Sequence, residues 1–162
     1  MLFRSKGRVY DPCCGSGGMF VQSADFVKHH AGNIGNLSIY GQDANPTIRK
    51  MAIMNLAIRG IEANLGESDA NTFYNDLHTA LRADFILANP PFNLKQWNNG
   101  ALDDDPRWKY GLPPTSNANF AWLQHMISHL IGHYVNTSSL AGYGLAHSAN
   151  LETSVHVDMT VF

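Results

Sequence analysis

The hydrophobic pattern switches repeatedly between the period of a strand and the period of a helix. Gly7-Arg8-Val9-Tyr10-Asp11 reads as a short strand, and it runs into a glycine-dense turn, Pro12-Cys13-Cys14-Gly15-Ser16-Gly17-Gly18. Phe20, Val21, Ala24 and Val27 then recur at helical spacing, which predicts a helix from about Met19 to His30, closed by Ala31-Gly32-Asn33. A second strand, Leu37 to Asp43, ends on a carboxylate. Asn45 is placed to cap the next helix and Pro46 to occupy its first position, where a missing N–H costs nothing. Ile48, Met51, Ala52, Met54, Leu56 and Ile58 are expected to form the buried stripe of that helix, with Gly60 as its stop. A third, short strand is expected near Thr72 to Tyr74. Ala83 to Ala88 forms an apolar strand that breaks at Asn89-Pro90-Pro91-Phe92. A polar, aromatic-bearing loop from Asn93 to Ser116 leads to a last helix, about Asn119 to Leu130. Beyond Ile131 neither period persists, and 137–150 is rich in Ser, Gly, Ala, His and Asn.

Strands alternating with helices imply an α/β fold made of parallel βαβ units with right-handed crossovers. Asp11, Asp43 and Asp76 recur at intervals of roughly 30 residues, about one such unit each, at strand ends or just beyond them. That spacing puts the three carboxylates along one edge of the sheet, where open α/β sheets bind ligands.

Composition narrows the class. The chain has 162 residues, 44% of them hydrophobic and 15% charged, which suits one globular domain with a sizeable core. No stretch approaches the roughly 18 apolar residues of a membrane span, and no signal-peptide pattern opens the chain, so the expected compartment is the cytoplasm. The two cysteines, Cys13 and Cys14, are neighbours and cannot build a disulfide framework or a metal clip. A net charge of −2 supplies no basic face. If the substrate is DNA, another segment or subunit must grip the phosphates.

The turn from Asp11 to Gly18 brings backbone close to a ligand, because its glycines accept positive φ. It lacks the lysine of a phosphate-binding P-loop, and Phe20 stands where a dinucleotide fingerprint needs its third glycine. An acid ahead of the turn suits a ligand with a charged amino-acid end, such as S-adenosylmethionine; an ordinary strand–helix turn is the alternative. Asp43 is placed to accept both ribose hydroxyls of a nucleoside, or else is a solvated charge at a helix start. Asp76 either accepts a hydrogen bond from an adenine amine or merely begins a turn.

Asn89-Pro90-Pro91-Phe92 is the sharpest signal. The amine of adenine is a poor nucleophile because its lone pair is delocalised into the ring. The Asn89 side-chain oxygen and the Pro90 carbonyl could each accept one amine hydrogen and direct the lone pair at a methyl donor. The same oxygens would stabilise positive charge growing on nitrogen, and alignment would add a proximity contribution. Two prolines stiffen the loop. Phe92 offers a face for a flipped base, and such stacking contributes about 1–3 kcal/mol. No metal, general base or covalent nucleophile is required. Among the eight histidines, His125, His129 and His133 lie four apart and could share a helix face, but they read as surface histidines rather than metal ligands. Asp103-Asp104-Asp105 reads as solvated loop charge.

Together these motifs resemble the modification subunit of type I restriction–modification systems, within the N-6 adenine-specific DNA methylases. The resemblance runs from about Lys6 to Leu130 and includes the run from Gly111 to Gln124. It implies a Rossmann-like S-adenosylmethionine-dependent methyltransferase fold, of which this chain holds the first four strands in the order 3-2-1-4. It implies donor contacts from Asp11, Pro12, Cys13, Gly15, Ser16, Gly17 and Gly18, with Asp43 as the ribose acid and Asp76 as the adenine-contacting acid. It assigns catalysis to Asn89, Pro90, Pro91 and Phe92, on double-stranded DNA held by a complex with a specificity subunit and a restriction subunit.

Departures from the family qualify that expectation. The helical region that precedes the donor motif in the family is missing, and 131–162 does not resemble the family's remaining strands. Met1 to Ser5 therefore read as a non-native leader, Lys6 to Leu130 as a partial catalytic domain and 131–162 as an irregular, non-native tail. A half-sheet leaves an apolar edge uncovered, so weak or absent activity is expected of the chain alone. The competing readings are an RNA or protein-glutamine methylase that uses the same loop, and an inactive truncated remnant.

Overall fold

The computed structural model describes residues 7–29, 36–91 and 93–130. The sequence readings for Met1 to Ser5, for Phe92, for His133 and for the tail beyond Leu130 lie outside the described residues. The chain divides into two compact units, Met1–Pro90 and Pro91–Phe162.

The first unit is built on a four-stranded parallel sheet. Strand β1 (Gly7–Asp11) leads through the glycine turn into helix α1 (Gly18–His29), then β2 (Leu37–Gly41), α2 (Pro46–Ile58), β3 (Ala63–Asn64) and β4 (Phe85–Ile86). The spatial order is β3-β2-β1-β4, the expected 3-2-1-4. Val9 pairs with Ile39 on one side and Phe85 on the other, and Ile39 pairs with Ala63. Two successive crossovers in one direction put α1 and α2 on the same face. There Phe20, Ala24 and Val27 of α1 and Ala52 and Leu56 of α2 close over Val9, Leu37, Ile39 and Leu87 in one core cluster. On the other face, His78 meets the ring edges of Tyr10 and Tyr40, each at 5.7 Å between centroids.

Three elements differ from expectation. The third strand is Ala63–Asn64, and 72–74 forms a turn instead. Asn71 makes that turn, its carboxamide oxygen accepting the Phe73 N–H at 3.0 Å and its carbonyl the Tyr74 N–H. Strand β4 is a two-residue core of the expected Ala83–Ala88 run, although the Asp84 and Leu87 N–H groups extend its ladder to the Arg8 and Tyr10 carbonyls. On α2 only Ala52 and Leu56 of the expected stripe are buried, whereas Met51, Met54 and Ile58 are 50%, 63% and 79% exposed. At 100° per residue those three lie on the side of the helix away from Ala52 and Leu56, and a sheet touches only one side. Asn45 caps α2 as expected, accepting the Thr47 and Ile48 N–H groups, with Pro46 first in the helix.

The second unit comprises the loop from Asn93 and helix α3 (Asn119–His129). Asparagines tie its ends together. Asn119 Oδ1 accepts the Asn93 N–H at 2.9 Å, and Asn117 Nδ2 donates to Asn93 Oδ1 at 2.9 Å. Trp97 and Trp108 stack edge to face at 5.6 Å, and Trp97 Nε1 donates to the Pro114 carbonyl. Two further expectations are corrected here. His125 and His129 are buried, not surface residues, with ring centroids 4.7 Å apart and Arg107 within 3.0 Å of His125 Nδ1. Asp105 is not a solvated charge: it pairs with Arg107 at 2.6 Å, both side chains being mostly buried. Burial pushes the Asp105 carboxyl up, but the hydrogen bonds and charge of Arg107 outweigh that and hold it below the usual range.

Candidate active site

Strand order reverses between β1 and β4, and ligands of open α/β sheets bind at such a switch point, beyond the carboxyl ends of the strands. The Asp11–Gly18 turn leaves β1 at that edge. Asp11 is buried, and its Oδ1 accepts the Cys13 N–H at 2.9 Å. Gly15 and Gly17 take φ of 54° and 79°, a region that side chains with a Cβ enter only at a cost. A Cβ built on Gly15 or on Gly18 meets nothing within 4 Å, so open space lies over the turn at both positions. Burial, opposed by the Cys13 hydrogen bonds and reinforced by the charge of Asp43, raises the Asp11 carboxyl to about 7.

Asp43 lies two residues past β2 at the same edge. Its Oδ2 accepts the Gly15 N–H at 3.0 Å and its Oδ1 the Asn45 N–H at 2.9 Å. Asp76 is not at a strand end, since β3 closes at Asn64. It reaches the same edge because the segment from Ala70 to Leu77 folds back over it. The Ala70 N–H donates to the Asp43 carbonyl at 3.0 Å, and the Thr72 hydroxyl donates to the Pro12 carbonyl. Asp76 Oδ1 accepts the His78 N–H at 2.9 Å, and His78 Nε2 lies 2.9 Å from the Gly41 carbonyl, which fixes the Nε2–H tautomer.

Strand β4 reaches that edge from the other side. Tyr10 pairs with Ile86, and the Leu87 N–H donates to the Tyr10 carbonyl at 3.1 Å. Asn89 follows two residues later and is exposed, while Pro90 is buried and closes the first unit. Asn89 therefore leaves the strand next to the one that ends in Asp11. Pro91 opens the second unit and is exposed.

A sequence model described as N-6 DNA Methylase matches residues 1–133. The chain belongs to the N-6 DNA Methylase family. Among the relatives of this methylase chain, the type I restriction enzyme HindI methylase subunit of Haemophilus influenzae is 58% identical over 130 residues, covering 80% of this chain and 29% of the relative. The MjaIX methylase subunit of Methanocaldococcus jannaschii is 37% identical over 149 residues, covering 88% of this chain and 25% of the relative. The crystal structure of a type I restriction–modification methyltransferase subunit from Streptococcus thermophilus superposes with a TM-score of 0.69 at 28% identity, covering 80% of this chain and 29% of that one. A putative class I methyltransferase from Listeria monocytogenes, 12% identical with a TM-score of 0.59 over 79% of this chain and 37% of its own, shares the fold. The chain thus spans less than a third of the length of the curated relatives it matches.

Sequence reasoning missed Gln42. It is fully buried between β2 and Asp43, its N–H donates to the Asp11 carbonyl, and its carbonyl accepts the Cys14 N–H at 3.0 Å. An amide next to the acid that ends a strand was the available signal. His78 was missed as well, and only its sequence distance of two from Asp76 could have pointed to it.

Proposed function

We propose that the chain is the donor-binding and catalytic part of an adenine-N6 DNA methyltransferase subunit of a type I restriction–modification system, working in the cytoplasm on double-stranded DNA with specificity and restriction subunits. What carries the reading is the pairing of β4 with β1, which brings Asn89 and Pro90 to the sheet edge where the Asp11 turn begins. The family membership and the naming of the relatives as methylase subunits support it.

S-adenosylmethionine fits the residues present. Open space over Gly15 and Gly18 leaves room for its amino-acid end beside the turn, and Asp11 is the acid that would face its ammonium group. Asp43 would hold the ribose hydroxyls, since each carboxylate oxygen has a lone pair left after its backbone bond. Asp76 would accept from the adenine amine of the donor. Pro12, Cys13, Ser16 and Gly17 would shape the turn around it. The donor supplies an electrophilic methyl on a sulfonium.

The acceptor amine would give one hydrogen bond to the Asn89 side-chain oxygen and one to the Pro90 carbonyl. Those acceptors would pull the nitrogen toward tetrahedral geometry and offset the charge it gains as the N–C bond forms and the methyl's bond to sulfur breaks, its electron pair staying on a neutral thioether. Pro91 would keep the loop stiff, and Phe92 would stack on the extruded base. One proton leaves the methylated nitrogen afterwards, and water is a sufficient acceptor for it.

The test grafts the stretch of this chain that matches the HindI methylase subunit into that subunit in place of its counterpart, then follows tritiated methyl from the donor into DNA, RNA and protein. Transfer to DNA adenine, lost by orders of magnitude in Asn89→Ala with donor binding retained, is the expected result. Transfer to RNA or protein alone would overturn the DNA reading, and undiminished transfer by Asn89→Ala would overturn the role of Asn89.

A further inference from the structure

Gln42 spends every polar group it owns on two segments, the turn that begins at Asp11 and the stretch from Ala70 to Leu77 that carries Asp76. Its backbone ties the glycine turn to the end of β2 through the Asp11 carbonyl and the Cys14 N–H. Its side chain does something different. Nε2 donates to the Asn75 carbonyl at 3.1 Å, and Oε1 accepts the Leu77 N–H at 3.0 Å. Those two backbone groups lie immediately before and after Asp76. The carboxamide orientation is fixed by chemistry, since a flip would set an NH₂ against an N–H and an oxygen against a carbonyl. Asp43 is the next residue in the chain.

We propose that Gln42 is the positioning residue for recognition of the donor's base: its carboxamide grips the peptide on both sides of Asp76 and sets the distance between Asp76 and Asp43. This rests on the donor site proposed above. The physical argument is one of rigidity. Asp76 sits in a segment without strand or helix pairing of its own, and an acid on such a segment discriminates poorly between ligands. Holding both neighbouring peptides to a fully buried side chain at a strand end removes that freedom. Neither apolar replacement nor an acid satisfies both partners. Leucine leaves both unmet, and ionised glutamate keeps the acceptor for Leu77 but loses the donor to Asn75.

The experiment compares S-adenosylmethionine with its inosine counterpart, in which a keto oxygen replaces the adenine amine, by calorimetry on the full 162-residue chain. Asp76 facing a keto oxygen sets two acceptors together, so the wild-type protein is expected to prefer the amine at least about tenfold. Gln42→Leu should bring that ratio within about threefold, and the Leu77 amide should exchange its hydrogen at least about tenfold faster. Val27→Ala, which truncates the core on α1, should lower stability while keeping the ratio, so instability alone does not account for a loss. If Gln42→Leu does not fold, Gln42→Glu takes its place. It should lose the ratio at pH 8, where the ionised acid no longer donates to the Asn75 carbonyl. Discrimination that survives in these variants overturns the role of Gln42 alone. Wild-type protein that binds neither ligand overturns the donor site, and the inference with it.

Discussion

The Gly15 N–H donates to Asp43 Oδ2 at 3.0 Å, so the turn after β1 and the end of β2 are joined by a charge-assisted bond between residues 28 apart in the chain. The second oxygen of Asp43 holds the Asn45 N–H, which sets the entry to α2. One carboxylate therefore shapes the turn and starts the next helix before any ligand arrives.

Asp43→Ala removes both bonds. It should lower unfolding stability by about 1–2 kcal/mol in urea and weaken donor binding at least about tenfold. Asp43→Asn keeps one acceptor and should fall between the two in stability, yet bind donor as poorly as Asp43→Ala. Donor affinity unchanged in both would remove Asp43 from the ribose role.

Gly41 is a position where space decides. A Cβ there would lie 2.9 Å from Phe20 Cζ and 3.2 Å from Cys14 Cβ, on a fully buried ring and the wall of the turn. Gly41→Ala should destabilise by about 1–3 kcal/mol through overpacking. Phe20→Leu in the same chain should recover part of the loss, because it clears the ring from the new methyl group. A double mutant no more stable than Gly41→Ala would show that the strain lies elsewhere.

Strong local signals made much of this fold readable. β1 and α1 are framed by a glycine turn, α2 by its Asn45 cap and Pro46, and α3 by its apolar period. β3 was not readable, because a two-residue strand at a sheet edge has no alternation to display and is defined by pairing with Ile39 and Tyr40. The outward row on α2 was misassigned because Met and Ile declare hydrophobicity but not which neighbour covers them. At the site, Asp11, Asp43 and Asn89 could be placed by strand ends alone. Spacing put Asp76 at the same edge as well, but not its route there, since a segment without strand or helix folds back through bonds from Ala70 to Asp43, Thr72 to Pro12 and Gln42 to Asn75 and Leu77.

The adjacent cysteines invite a redox or nucleophilic reading that their surroundings oppose. Burial, then the charges of Asp11 and Asp43, push the Cys14 thiol up to about 12. Burial and Asp11 also push Cys13 well above the usual thiol range. Thiolate is the reactive form. Iodoacetamide at pH 8 should therefore alkylate both at least about 100-fold more slowly than a free thiol, with the rate recovering in urea. Fast labelling of folded protein at either position would contradict this account.

The raised carboxyl of Asp11 would give the proposed donor site a pH dependence of defined sign. Its folded value is about 7, against an ordinary 3.8. Between those values the folded chain holds a proton that the unfolded chain has released. The stability this contributes is full below about pH 4 and is lost as pH rises through about 7, a change of at most about 4 kcal/mol. An ammonium group prefers the ionised carboxylate, so donor binding should tighten as pH rises from 6 to 8. At pH 6 it should expel a proton, visible as a buffer-dependent heat in calorimetry. Asp11→Asn abolishes both effects if this assignment holds: affinity becomes weak and flat with pH, and the stability difference between pH 5 and pH 8 shrinks. An unchanged slope of affinity with pH in Asp11→Asn would assign the titration to another group, and would leave the donor's ammonium without the partner given to it here.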